Sequence, residues 1–161
     1  WTEALTVTKA AAPKSVYLKT PEFAQGSPFN KLLPKDSDGR TVVAGCVTIA
    51  AAQLMAYYKH PIKGTGTLPG YTTSKGFVMP DVPVGHEYKW DKILDKYTSG
   101  QYTDEQADAV ARLVYDLAVM GQVEMSSSST TGNTNATFPA LAPPATIHFL
   151  PFWSTATPFG R

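Results

Sequence analysis

Ala44-Gly45-Cys46-Val47-Thr48-Ile49-Ala50-Ala51-Ala52-Gln53-Leu54-Met55-Ala56-Tyr57-Tyr58-Lys59-His60-Pro61 is the stretch that decides the fold. A small flexible residue precedes the thiol, good helix formers follow it, and Pro61 ends the run. The pattern predicts a helix from about Cys46 to Lys59. Its apolar residues run almost all the way round, as in a helix enclosed by protein. Cys46 falls in the first turn. There the unpaired backbone N–H groups and the positive end of the helix dipole favour a thiolate, the reactive form. A lone thiol so placed is a candidate nucleophile. Free cysteine is also among the most often buried residue types and is then inert. The local pattern leaves both readings open.

Outward from this helix, the bulk of the chain sets the class. Its 161 residues with a net charge of +1 suit one compact domain. A hydrophobic fraction of 43% supplies a core, and 11% aromatic residues argue against disorder. No basic run or acidic tail points to nucleic acid or a membrane surface, and no apolar stretch is long enough to span a bilayer. Cys46 is the only cysteine, so no internal disulfide can form. The chain does not begin with Met and shows no signal peptide, which suggests a start after a removed leader or propeptide, or a fragment.

Residues 1–24 read as short extended pieces and loops. Residues 25–40 read as loop. Asp36, Asp38 and Gly39 echo the start of a calcium loop, but the later Glu ligand is missing and a polar turn is expected. Gly64-Thr65-Gly66 lacks the Lys-Ser/Thr end of a phosphate loop and also reads as a turn. Trp90, Ile93, Leu94 and Tyr97 fall at helical spacing and predict a short helix. Thr103-Asp104-Glu105-Gln106 fits a capping box. The helix it opens would bury Ala107, Val110, Ala111, Val114, Leu117 and Ala118, with Glu105, Asp108 and Arg112 on a solvated face. Residues 126–132 read as polar and flexible, and residues 138–161 keep no period.

Several of these pieces together resemble one family. Gln25-Gly26-x-Pro28-Phe29-Asn30, then Gly45-Cys46-Val47 with the small-residue helix ending Gln53-Leu54-Met55-x-Tyr57, then Pro61-x-Lys63-Gly64, resemble streptopain-type secreted bacterial cysteine peptidases. The likeness continues through Tyr88-x-Trp90 and Ala109-Val110-Ala111-x-Leu113 and covers about residues 20–125. The resemblance implies an α+β, papain-like fold. Residues 1–125 would form its helical subdomain with an extended N-terminal segment, and residues 126–161 a divergent tail. The β-rich C-terminal half would be missing. It implies that Cys46 is the nucleophile and that Gln25 contributes to the oxyanion hole. It implies a secreted enzyme acting on proteins or peptides, with no cofactor and no metal. The missing half or a propeptide would pack on this chain.

Such enzymes pair the cysteine with a histidine. In papain-type sequences it lies roughly 130–150 residues beyond the thiol, which falls past Arg161. His60 and His86 read as structural or surface residues. His148 lies in the unassigned tail, and the three histidines are too scattered for a metal site. The expected function is therefore a cysteine endopeptidase, here an incomplete and inactive piece. The competing reading is a non-catalytic binding or structural module in which Cys46 is an ordinary buried thiol. The peptidase reading also predicts an uncovered apolar face on the 46–59 helix, supplied by Val47, Leu54, Met55, Tyr57 and Tyr58.

Overall fold

The structure, a computed structural model, describes residue 17 and residues 19–130. The expectations for residues 1–16 and for the tail from 131 to 161, His148 included, lie outside the described residues.

Helix α1 spans Cys46–Tyr58, one residue short of the sequence-based end. It stops because Lys59 turns left-handed, at φ 48° and ψ 45°, and donates its N–H back to Ala56 O. Helix α1 is not enclosed. Thr48, Ile49, Ala52 and Ala56 are buried, whereas Val47, Tyr57 and Tyr58 are 44%, 39% and 48% exposed. Leu54 and Met55 are half-buried, and Met55 packs on the core. The described residues cover one side of α1 only, so its apolar circumference leaves a strip uncovered.

Helix α2 spans Asp104–Met120 and packs against α1. Its start is the expected capping box. Thr103 Oγ1 accepts from Gln106 N at 3.3 Å, and Gln106 Oε1 accepts from Thr103 N at 2.8 Å. Asp104 and Glu105 in the first turn complement the dipole. All six residues expected to be buried are buried.

Between the helices lie two nested antiparallel pairs. Strand β1 (Thr67–Leu68) pairs with β4 (Val82–Pro83), and β2 (Tyr71–Thr72) with β3 (Val78–Met79). Leu68 faces Val82 and Tyr71 faces Met79. The Gly64-Thr65-Gly66 turn leads into β1, not into a helix. A Cβ on Gly64 would lie 2.7 Å from Val84 O, so close backbone approach explains that glycine. At residues 36–40 the expected polar turn is present, with Asp36 Oδ1 accepting from Asp38 N and Arg40 N.

The helix expected over Trp90–Tyr97 is absent; a turn at residues 90–92 is followed by irregular chain with an isolated parallel bridge between Lys96 and Glu22. Its side chains find distant partners. Trp90 Nε1 donates to Pro61 O at 2.9 Å. Tyr97 OH accepts from Leu94 N and donates to Gln106 O, while its ring packs on Phe23 and Phe29. Tertiary anchoring overrides helical spacing here.

The α2 polar face also needs correction at Arg112. Its Nε lies 3.0 Å from Oδ1 of Asp116, a carboxylate with no exposed surface. Asp116 Oδ2 accepts from Tyr88 OH at 3.0 Å and lies 2.8 Å from His86 Nε2. Burial pushes the Asp116 carboxyl up, while Arg112, His86 and Tyr88 pull it back down. Burial likewise pushes the Tyr88 phenol well above its ordinary value, and the neighbouring Asp116 adds to the effect. The four side chains latch the 84–88 segment onto α2.

Residues 42–45 feed α1 and are held on both edges. Val42 N donates to Pro34 O at 2.9 Å, and Val42 O accepts from Asn30 Nδ2 at 2.9 Å. Val43 N donates to Ser126 O at 3.1 Å, and Val43 O accepts from Thr130 Oγ1 at 2.6 Å. Ala44 N donates to Gln25 O at 3.0 Å. The polar stretch after Met125 is thus fastened as far as Thr130. Gly45 then turns the chain into the helix at φ 85° and ψ 146°. This conformation is close to a region that only glycine populates readily. A Cβ there would also sit 2.8 Å from Thr130 Cγ2.

Gly45→Ala should therefore lower stability by about 2 kcal/mol and change the alkylation rate of Cys46, read by urea unfolding and iodoacetamide kinetics. An unchanged unfolding midpoint would contradict this account. Asp116→Ala should cost about 3 kcal/mol, because it strands half-buried Arg112 and His86. Tyr88→Phe, which removes one hydrogen bond, should cost about 1 kcal/mol. Equal losses in the two variants would argue against a charge cluster.

Candidate active site

Cys46 is the first residue of α1, and its side chain is exposed. Helix α1 opens without a side-chain cap. Its first backbone bond runs from Ile49 N to Gly45 O at 3.1 Å. The N–H groups of Cys46, Val47 and Thr48 stand ahead of that ladder, so the helix presents donors and a positive dipole end around the sulfur. The bland expectation, a thiol buried in the core, is not what the fold produces.

Gln25 is brought to this helix head by its own carbonyl, which accepts from Ala44 N two residues before Cys46. The Gln25 side chain is exposed and makes no hydrogen bond among the described residues. It is not consumed by its own loop, where Gly26 O accepts from Asn30 N. A free amide and a free thiol therefore flank one short segment. Asn30 closes the Gln25 loop onto that segment through Val42 O. The Gln25-Gly26-x-Pro28-Phe29-Asn30 and Gly45-Cys46 pieces of sequence are thus neighbours in space.

Neither His60 nor His86 serves Cys46. His60 follows the far end of α1, roughly 20 Å from Cys46 at 1.5 Å per residue, and its N–H donates to Met55 O. His86 has Nδ1 3.3 Å from Pro83 O and Nε2 2.8 Å from Asp116 Oδ2, which leaves neither ring nitrogen free. Among the described residues no histidine is placed to take a proton from Cys46, and no group of three or more His, Cys, Asp or Glu residues could hold a metal ion. Sequence reasoning missed Ser126 and Thr130, which position the helix entry. Their Ser/Thr-rich surroundings read as flexible, and only the tertiary contact with Val43 distinguishes them.

The geometry has counterparts in known proteins. Residues 23–144 match the Peptidase C10 family. The thiol protease/hemagglutinin PrtT of Porphyromonas gingivalis is 30% identical over 95 residues, 58% of this chain and 11% of that protein. Two solved structures from Prevotella intermedia are also similar. A prointerpain A fragment with a Cys-to-Ala mutation has a TM-score of 0.62 at 30% identity, covering 71% of this chain and 37% of its own. The active wild-type interpain A cysteine protease has a TM-score of 0.62 at 31% identity, covering 72% and 48%. The chain thus spans less than half the length of each of these relatives. Their fold is papain-like, and the two helices and small sheets described above are its mainly helical part. With the family match covering most of its length, this chain belongs to the Peptidase C10 family.

Proposed function

We propose that this chain carries the nucleophile of a bacterial cysteine endopeptidase that acts outside the cell on proteins or peptides. The observation that supports it most is an exposed thiol at an uncapped helix head whose entry segment is fixed on both edges. Family membership and the bacterial cysteine proteases among the relatives support the same reading. No described helix is long and apolar enough to cross a membrane.

In this reading Cys46 Sγ attacks an amide carbonyl carbon. The new S–C bond places negative charge on the carbonyl oxygen. The Cys46 N–H and the Gln25 side-chain amide hold that charge where it develops. Loss of the amine breaks the C–N bond and leaves a thioester, and water then releases the acid and the thiol. The departing amine needs a proton; His60 lies at the far end of α1, and His86 is held by Pro83 O and Asp116. We assign the base and acid to residues outside the described ones. The uncovered strip of α1, with Val47, Tyr57 and Tyr58, is where the other half of such an enzyme or a propeptide would pack.

Iodoacetamide should label Cys46 in the folded chain near neutral pH, without denaturant, as mass spectrometry of the intact protein would reveal. Labelling only after unfolding would favour the non-catalytic module. A peptide aldehyde adds reversibly to the thiol and places its oxygen in the proposed hole. Gln25→Ala should weaken that adduct about tenfold, the size of one lost hydrogen bond, and leave the iodoacetamide rate unchanged. An unaltered aldehyde affinity removes Gln25 from the site. The purified 161-residue chain should turn over casein poorly. Robust turnover abolished by Cys46→Ala would place the base within the chain, with His148 the first residue to mutate.

A further inference from the structure

A groove of about 470 Å³ lies beside the segment that feeds Cys46. One wall is the 35–37 turn and the other the β2–β3 hairpin tip at Lys75–Phe77, with Ser126 and Ser127 between them. We propose that this groove is a substrate subsite for an acidic side chain, rests on the peptidase reading above, and is set by Lys35 and Lys75.

The groove is tied to the thiol by backbone pairing. Lys35 bridges Thr41, and Ser126 O accepts from Val43 N. Val43 precedes Cys46 by three residues, roughly 10 Å of extended chain. A peptide whose scissile bond sits at Cys46 reaches the groove within about three or four of its own residues.

The charges around the groove differ in how far they are engaged. The Asp36 carboxylate accepts from Asp38 N and Arg40 N, and Ser127, then Arg40 and Asp38, hold it below its ordinary range. Asp38 and Arg40 pair with each other at 3.0 Å. Glu124 Oε2 is taken by Ser74 N and Oγ, a contact that fixes the hairpin. Lys35 and Lys75 have no ion-pair partner among the described residues, and the Ser37 hydroxyl has no hydrogen bond there. The uncommitted groups are thus two ammoniums on opposite walls and one hydroxyl. All can donate to a carboxylate. The half-buried Phe77 ring adds apolar surface for side-chain methylenes. Because the surrounding charges nearly cancel, selection acts at contact range and on exposed groups. Its expected size is therefore modest.

The test uses Cys46 as its own reporter. Tetrapeptides with a C-terminal chloromethyl ketone and tetrapeptides with an N-terminal chloroacetyl group probe the two sides of the thiol. In each, the thiolate displaces chloride as the S–C bond forms. Glu, Gln or Lys is placed at each position in turn, and the second-order labelling rate is measured. At one position Glu should label about fivefold faster than Gln. Lys35→Gln and Lys75→Gln should each reduce that ratio, and Lys75→Glu should shift the preference toward Lys. Lys31→Gln, whose ion pairs are with α2, should leave the ratio unchanged. Iodoacetamide rates should be the same in all variants. No preference for Glu over Gln at any position overturns the subsite. If the folded chain reacts with no electrophile, the peptidase reading fails instead. The groove is then judged separately, by anisotropy of fluorescein-labelled Glu and Gln hexapeptides with the Cys46→Ala chain. Equal affinities there also overturn it.

Discussion

The hydrogen bonding of residues 42–44 is the constraint on which the rest of the structure depends. Five backbone groups in this short segment are bonded, to Gln25, Asn30, Pro34, Ser126 and Thr130. The segment is too short to be a strand of a larger sheet. Its buried backbone groups must still find partners, because each one left unpaired would cost about 1–3 kcal/mol. Two separate stretches of chain supply them. Residues 25–34 come from one side and 126–130 from the other, and Gly45 turns the direction between them into α1. The position of Cys46 follows from this closure and not from any contact of its own side chain.

Helix α1 has to serve two environments at once. Its buried side rests on Val42, Ala44 and α2, and small residues such as Ala52 and Ala56 permit close approach. Its other side carries Val47, Tyr57 and Tyr58 in solvent, the two tyrosine rings meeting edge to face. A helix of this composition gains nothing from amphipathicity, so its orientation comes from its ends. At the head the 42–45 segment fixes it. Along its length Gln53 Nε2 donates to Pro21 O at 2.8 Å. At the tail Lys59 ends the helix, and Trp90 holds the following turn through Pro61 O. The sulfur can therefore be exposed without the helix being loose.

How much of this was readable beforehand depended on the range of the interactions. The α1 start follows from Gly45 and its end, to within one residue, from Pro61, and the α2 start follows from Thr103 and Gln106. All of these act within a turn of chain, and all were legible. The Asp36 turn is equally local. The Trp90–Tyr97 region misled because its spacing imitates a helix while its partners, Pro61 and Gln106, are distant in sequence. Asp116 carried no local signal at all. On a helical wheel it is one more acid, and only folding brings His86 and Tyr88 to it. Ser126 and Thr130 were hidden in the same way by a Ser/Thr run. For the site, only motif resemblance singled out Gln25 together with Cys46, and the structure joins their segments through Gln25 O and Ala44 N. Composition and periodicity had no means of pairing them.

The Asp116 cluster and the Cys46 segment divide the demands on this small fold. Asp116 sits on α2 and ties down the 84–88 segment through the His86 imidazole and the Tyr88 phenol. That histidine is thereby spent on structure: its two nitrogens answer a carbonyl and a carboxylate, and its removal would expose the need of Arg112 and Tyr88 for the same acid. The helix head, by contrast, spends no charged side chain. It offers backbone N–H groups and a glycine turn, neither of which can accept the thiol's proton as a strong base. Electrostatic support for an oxyanion and supply of a base are therefore separate functions here. In the proposed reading, the helix-head N–H groups and the Gln25 amide would serve the oxyanion, and the base would come from residues outside the described ones.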